Sequence, residues 1–318
     1  MHLTRRHVLG AALVLPTAAA AQQRRNIRLD VPAAPGGAID VIGRLFAQRL
    51  GEVFGQVWVV ENRSGANNTV GAAEVARQPP DGATYLVNAD IQLMAKHVMK
   101  SVPYDPVADF TPVGRLATAP LVLVGNPGAT PRDLPALVAA MKASPDRFTF
   151  ANSALGSMGH LATEGFKKAA GVDALLVSYR GTAPAITDLI SGATTLMVAP
   201  LGSALPHIAS GALRGFAVIG GRRATRAPEI PCTAELGYAG LDFTLWYAVW
   251  GPKGLPAETV KAMNDAIQAI GREPAMIAKL TEQGAEPVAE DAAAFARFIA
   301  AEAQRNAALA REVGIQPE

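Results

Sequence analysis

One cysteine, Cys232, is all that 318 residues contain, so no internal disulfide can form and no thiolate cluster is available to hold a metal. The five histidines are scattered without ligand spacing, and no metal site is expected. Charge is sparse and balanced, with 29 basic and 27 acidic residues. Losing Arg5 and Arg6 with a cleaved leader would leave 27 of each sign, which gives no reason to expect nucleic acid or an anionic membrane as a partner. Beyond the leader no segment approaches 18 consecutive apolar residues, so stable membrane insertion is not expected.

Enzyme signatures are missing too. Pro35-Gly36-Gly37 is not the G-x-G-x-x-G of a dinucleotide site, and there is no Walker lysine. Leu155-Gly156-Ser157-Met158-Gly159 has leucine where a nucleophile elbow needs its first glycine. An exported hydrolase would have to draw on Ser153, Ser157, His160 and His207, with no aspartate spaced to orient a histidine. No catalytic residue and no cofactor are therefore assigned, and the chain is not read as an enzyme.

What is present begins with an export signal. His2, Arg5 and Arg6 precede a small apolar run over residues 8–15 and a cleavage site at Ala19-Ala20-Ala21, giving a signal peptide over residues 1–21. Thr4-Arg5-Arg6-His7-Val8-Leu9 is also similar to a twin-arginine signal, so the route is either that or general secretion. Both routes lead to the periplasm. Gln22 stands where a lipid-anchored cysteine would be needed. With 50% hydrophobic residues over this length, two well-formed cores are expected.

Strand and helix patterns alternate along most of the mature chain, the mark of parallel sheets flanked by helices. Residues 27–31 read as a strand, and Ile39, Ile42, Leu45, Phe46 and Leu50 then recur at helical spacing. Further strands are expected at residues 56–60, 84–87, 148–151, 174–179, 194–198 and 214–219, with a loop at Asn88-Ala89-Asp90. Prolines 103, 106 and 112 interrupt the rhythm, and residues 113–124 read as a first crossing between domains. Residues 243–250 bring the chain back, and helices starting near Pro256, Pro274 and Asp291 complete the first domain. The expected α/β domains are discontinuous, residues 22–118 with 246–318 and residues 119–245, joined by two crossing segments that serve as a hinge.

The turn Pro35-Gly36-Gly37 ends the first strand and opens a helix. Two glycines remove side chains from the approach to the backbone, and a helix start offers N–H groups without intrahelical acceptors to an anion. Asp40, close behind, is assigned a structural role, because a carboxylate aimed at an anionic ligand would repel it. Asn152, Ser153 and Ser157 gather where a later strand meets its helix, so their donors can face the first domain's glycines across the cleft; helix capping explains Ser157 well and Ser153 less well, and both roles can coexist at Ser157. His160 reads as packed, and Trp246 and Tyr247 either wall the cleft or join the core.

Pro35-Gly36-Gly37-Ala38-Ile39-Asp40, Val59-Val60-Glu61-Asn62-Arg63-Ser64-Gly65-Ala66, Pro80-Asp81-Gly82-Ala83-Thr84, Val102-Pro103-Tyr104-Asp105-Pro106, Ser178-Tyr179-Arg180-Gly181 and Gln283-Gly284-Ala285-Glu286-Pro287-Val288 occur in that order. So do Ser157-Met158-Gly159-His160-Leu161 and Ser203-Ala204-Leu205-Pro206-His207-Ile208. Together they resemble the substrate-binding proteins of tripartite tricarboxylate transporters, the Bug receptors. The resemblance implies a two-lobed periplasmic-binding-protein fold, type II-like, that closes around a small mono-, di- or tricarboxylate. It places ligand contacts at Gly36, Gly37 and Ala38, in residues 153–157, and at Tyr179, Arg180 and Gly181; Asn88, after the third strand, joins this ligand-binding set. The implied partners are the carboxylate and the membrane subunits of a cognate transporter, with the receptor acting as a monomer. A sensor that presents its ligand to a membrane kinase is the alternative. Many relatives carry an acid, often Asp-Asn, where this chain has Ala199 and Pro200, which implies a ligand without a cationic group.

Overall fold

The computed structural model describes residues 26–179, 181–312 and 314–317; the signal peptide and Arg180 lie outside the described residues. β1 (Ile27–Val31) leads into α1 (Ala38–Phe54), whose Ile42, Phe46 and Leu50 fall one turn apart and are buried together. The apolar stripe therefore faces the sheet, as helical periodicity requires. Gly55, left-handed at φ 62°, ends the helix at little cost because it lacks a Cβ. β2 (Trp58–Asn62) starts two residues later than the sequence pattern indicates, since the Gln56 N–H is still bonded to the Gly51 carbonyl. α2 (Thr69–Ala76), β3 (Thr84–Ala89) and α3 (Ile91–Val98) follow. β3 takes in Asn88 and Ala89, which the sequence assigns to a loop, because both pair with the returning strand at Ala248 and Tyr247.

β4 (Phe110–Gly125) is one 16-residue strand, although Pro112 reads as a break. It is followed by α4 (Leu134–Ala143), β5 (Thr149–Asn152), α5 (Met158–Ala170), β6 (Leu175–Ser178), α6 (Thr182–Ser191), β7 (Leu196–Pro200), α7 (Leu201–Ala209) and β8 (Arg214–Val218). The return strand β9 (Thr244–Pro252) precedes α8 (Ala257–Gly271), α9 (Pro274–Glu282), the two-residue β10 (Glu286–Pro287) and α10 (Ala292–Glu312).

The pairings make two sheets that share β4. In lobe 1 the order is β2-β1-β3-β9-β4-β10, with β1 parallel to both its neighbours and β9 antiparallel to β3 and β4. In lobe 2 it is β6-β5-β7-β4-β8, with β5 parallel to both its neighbours and β4 antiparallel to β7 and β8. Each lobe thus repeats one plan. β4 leaves β9 at Pro120, opposite Thr244, and meets β7 one residue on at Leu121. Proline suits this switch because it has no N–H to satisfy in either sheet.

Along β9, Trp246, Ala248 and Trp250 enter one cluster with Leu86 and Phe295, while Tyr247 and Val249 enter another with Leu29, Phe46 and Ile267. This is the two-residue alternation of a strand covered on both faces. Trp246 and Tyr247 are 1% and 3% exposed, so they belong to the core and do not wall a cleft.

At the far edge the lobes touch backbone to backbone. Gly202, in the first turn of α7, lies against Gly284 and the Gln283 carbonyl of the turn before β10. Beside them Arg226 donates to the carbonyls of Thr281 and Glu282, and Arg222 pairs with Glu286. A Cβ on Gly202 would collide with the Gln283 carbonyl. Gly202→Ala is therefore expected to lower unfolding stability by about 1–3 kcal/mol, the usual cost of overpacking, and to enlarge the radius of gyration by forcing the lobes apart. Urea titration and small-angle scattering of the variant check both.

Candidate functional site

The helices α1, α2 and α3 follow the parallel strands of lobe 1, and α5, α6 and α7 follow those of lobe 2. Their N-termini accordingly gather at the carboxyl ends of the strands, where open α/β sheets bind ligands.

In lobe 1 the Gly36-Gly37-Ala38 turn is exposed. Gly36 is left-handed at φ 80° and a Cβ there would meet nothing within 4 Å. Gly37 caps α1 without any side-chain hydrogen bond, and the N–H groups of Ala38 and Ile39 have no acceptor among the described residues. The turn is rigid nonetheless. Asp40 accepts the Gly36 N–H at 2.9 Å and the Arg44 Nε at 2.9 Å, and the Asn62 amide reaches both Asp40 and the Ala33 carbonyl. Burial raises the Asp40 pKa, but Arg44, the Gly36 N–H and Asn62 together outweigh it and hold the carboxyl below its ordinary value. Asp40 thus ties the turn together from behind.

Lobe 2 brings together most of the side chains singled out from sequence. The Gly181 N–H donates to the Ser153 carbonyl and the Tyr179 N–H to the Asn152 carbonyl, each at 2.8 Å. The Ser157 hydroxyl caps α5 by accepting the His160 N–H and also bonds Asn152. The Ser153 hydroxyl makes no hydrogen bond among the described residues. Gly181, at φ 124°, caps α6 with no side-chain bond, and the N–H groups of Thr182 and Ala183 lack acceptors among the described residues. The Tyr179 hydroxyl is engaged with Asp188 at 2.8 Å. His160 is buried, and its Nδ1 accepts the Gly156 N–H. Burial, helped by Lys167, pushes its pKa down to about 4, so at neutral pH it is an uncharged packing residue.

The loops on either side meet. Ala66, Asn67 and Asn68 form a run of left-handed residues, at φ 42°, 52° and 68°, and this conformation is costly for a non-glycine residue. It aims the Asn67 amide at the Leu155 carbonyl of lobe 2, at 3.0 Å, and the Asn68 amide at Asn88. Gly156 lies against Met94 and Val98 of α3, and Ala154 packs on the lobe 1 core cluster beside which Ala33 and Ile39 lie. Asn88 itself is fully buried, bonded to Gln92, Asn68 and the Ala89 N–H, so it supports the loop from beneath and presents no surface to solvent. No hydrogen bond joins residues 36–38 directly to lobe 2 among the described residues.

Residues 42–315 match the model of the tripartite tricarboxylate transporter family receptor. The chain belongs to that family. It is 36% identical to protein BugT of Bordetella pertussis, over 96% of this chain and 94% of BugT. Among solved structures, R. palustris Rpa4515 with adipate superposes with a TM-score of 0.86 at 34% identity, covering 93% of this chain and 99% of that one. MatC from Rhodopseudomonas palustris with bound malate gives 0.81 at 26% identity, covering 90% and 99%. The two-lobed solute-binding fold is thereby established for this chain, and with it a receptor rather than an enzyme. Its family works as periplasmic receptors, and among the described residues no helix is long and apolar enough to cross a membrane.

Sequence reasoning about the receptor missed Asn62 and Asn67, which act through partners 22 and 88 residues away in the chain. Their only signal was membership of a loop motif. Asp40→Asn is expected to cost about 1.5–3 kcal/mol at pH 7, the range for hydrogen bonds to a charged group. Because the folded carboxyl has the lower pKa, its contribution is present above the unfolded value of 3.8 and is lost as pH falls through the folded one. The stability gap between wild type and Asp40→Asn in urea titrations should thus narrow as pH drops below about 4.

Proposed function

We propose that this receptor captures a small organic carboxylate between its lobes and releases it, chemically unchanged, to the membrane subunits of a tripartite tricarboxylate-type transporter. The observation that carries the reading is the pair of glycine-capped helix starts, at α1 in lobe 1 and α6 in lobe 2, neither closed by a side chain. An anion satisfies such N–H groups and gains from the helix dipole without any buried counter-charge. In this reading Gly36, Gly37 and Ala38 take the carboxylate from one side, while Ser153, Ser157, Tyr179, Arg180 and Gly181 close from the other. The adipate and malate in the relatives' structures are carboxylates of this size and support it.

The lobes are taken as residues 22–118 with 246–318 and residues 119–245, the change of sheet at Pro120 and Thr244 lying within two residues of both boundaries, and the two crossing strands bend to close the cleft. Pro200 caps α7 without a side-chain bond and Ala199 is fully buried, so no acid stands there to receive an amino group. The ligand is accordingly a plain carboxylate and not an amino acid. The mature receptor works in the periplasm, after removal of residues 1–21, as a monomer.

A thermal-shift screen over mono- and dicarboxylates, aromatic acids, amino acids and uncharged analogues tests this. Binding at a hundredfold excess over Kd stabilises by about 2.7 kcal/mol, and scattering should show compaction with the same compound. Arg180→Ala is expected to weaken that binding by about 1.5–3 kcal/mol, as loss of a charge-assisted hydrogen bond does. A shift produced by uncharged analogues alone, or turnover of an ester that disappears in Ser157→Ala, would replace the reading.

A further inference from the structure

The half-buried loop of residues 153–155 in lobe 2 has each of its carbonyls covered by a donor. The Ser153 carbonyl accepts the Gly181 N–H at 2.8 Å, and the Ala154 carbonyl accepts the Ser157 N–H at 3.1 Å. Both of those donors belong to lobe 2. The third carbonyl, that of Leu155, is covered from the other lobe by the Asn67 amide at 3.0 Å. On either side the chain turns inward: Asn152 is buried with its carbonyl on the Tyr179 N–H, and Gly156 is buried against Met94 and Val98. What the loop leaves unpaired among the described residues is the Leu155 N–H and the Ser153 hydroxyl, both able to donate.

Lobe 1 builds the loop that reaches Leu155 without help from lobe 2. Ala66, Asn67 and Asn68, at φ 42°, 52° and 68°, are the non-glycine residues with left-handed backbone among the described residues, and such a run persists only where its surroundings hold it. The Ala66 carbonyl accepts the Thr69 N–H at 3.1 Å and the Thr69 hydroxyl at 2.7 Å, and the Asn68 amide is tied to the buried Asn88 at 3.2 Å. Of these bonds only that of Asn67 leaves the lobe. The orientation of its side chain is forced, since only the NH2 end of an amide can face a carbonyl.

We propose that Asn67 is a specificity-determining residue: by covering the Leu155 carbonyl when the lobes meet, it makes the 153–155 loop a surface of donors only, suited to a carboxylate. This rests on the carboxylate-capture reading above and names the residue of lobe 1 that makes the lobe 2 side of that site selective. An ionised carboxylate can only accept hydrogen bonds. Beside an uncovered Leu155 carbonyl it would face another acceptor with no proton between them, whereas an amide or hydroxyl of a neutral ligand could donate to that oxygen. With the lobes apart the oxygen is uncovered, so the donor-only surface exists in the closed form alone. A carboxylate therefore gains more from closure than a neutral ligand does, and that difference shifts the equilibrium.

Calorimetric titration with adipate, and with adipamic acid in which an amide replaces one carboxylate, tests this on three variants. Asn67→Gly removes the side-chain amide at a position where φ 52° suits glycine. It should fold, bind adipate at least fivefold more weakly than wild type, and bind adipamic acid within twofold of wild type. Asn67→Asp sets an acid against the Leu155 carbonyl and should weaken adipate further than glycine does. Ala66→Gly eases the same strained run and keeps the amide, so it should bind both compounds within twofold of wild type. Unchanged adipate binding in Asn67→Gly, equal losses for the two compounds, or a comparable loss in Ala66→Gly would overturn the proposal; the last two would show that the contact merely holds the loops together. If wild type binds neither compound, capture of a carboxylate of this size fails and the role of Asn67 fails with it. If wild type binds adipate and the Asn67 variants match it, the capture reading stands and only the role of Asn67 is lost.

Discussion

A strand of 16 residues has to satisfy its backbone in two sheets at once, and the rest of the molecule is arranged around how β4 does so. From Phe110 to Pro120 its partners are β9 and, at Ala117 and Thr118, β10, and from Leu121 to Gly125 they are β7 and β8. Each lobe is completed only by a length of chain that also belongs to the other. Sliding one lobe past the other would therefore break a ladder on one side or the other. This fixes which loops can meet across the gap: those at the carboxyl ends of the two parallel sets.

The same economy governs the loops. At Gly36 the backbone is left bare toward solvent, while Asp40, Arg44 and Asn62 lock it from behind. Positive charge is thus spent on holding the turn, and what faces outward is a set of neutral N–H donors. Such donors desolvate cheaply compared with a guanidinium. The strain in Ala66, Asn67 and Asn68 follows the same logic, since only that left-handed run brings two amides from one loop to two targets on different elements.

Much of this was legible in the residues. Burial of Ile42, Phe46 and Leu50 follows from spacing, and the glycine turn announced itself by having no side chains. Where the sequence misled, long-range pairing had overridden local signals. Pro112 read as a break, yet β4 continues through it because it lies at a register shift, and it continues through Pro120 because the strand changes partner there. Asn88 read as loop because asparagine favours turns, but the pairing of β3 with residues 247–250 draws it into the sheet. Asn67 and Leu155 are 88 positions apart, and no periodicity in either segment encodes that meeting. Local chemistry thus predicts the bare turn, while its supports depend on the finished topology.

The contacts between the lobes also explain why a ligand can control them. Polar contacts cross at the periphery, from Asn67 to Leu155, Arg222 to Glu286 and Arg226 to the end of α9. An apolar cluster crosses as well: Met94 and Val98 of α3 and Ala310 of α10 pack with Met158, Leu161 and Phe166 of α5. The turn at Gly36, Gly37 and Ala38, by contrast, makes no hydrogen bond to lobe 2 among the described residues. Moving an equilibrium from mostly open to mostly closed takes about 5.5 kcal/mol of differential affinity. Under the reading proposed above, that energy comes from helix starts on opposite lobes, and only a molecule long enough to touch both gains it.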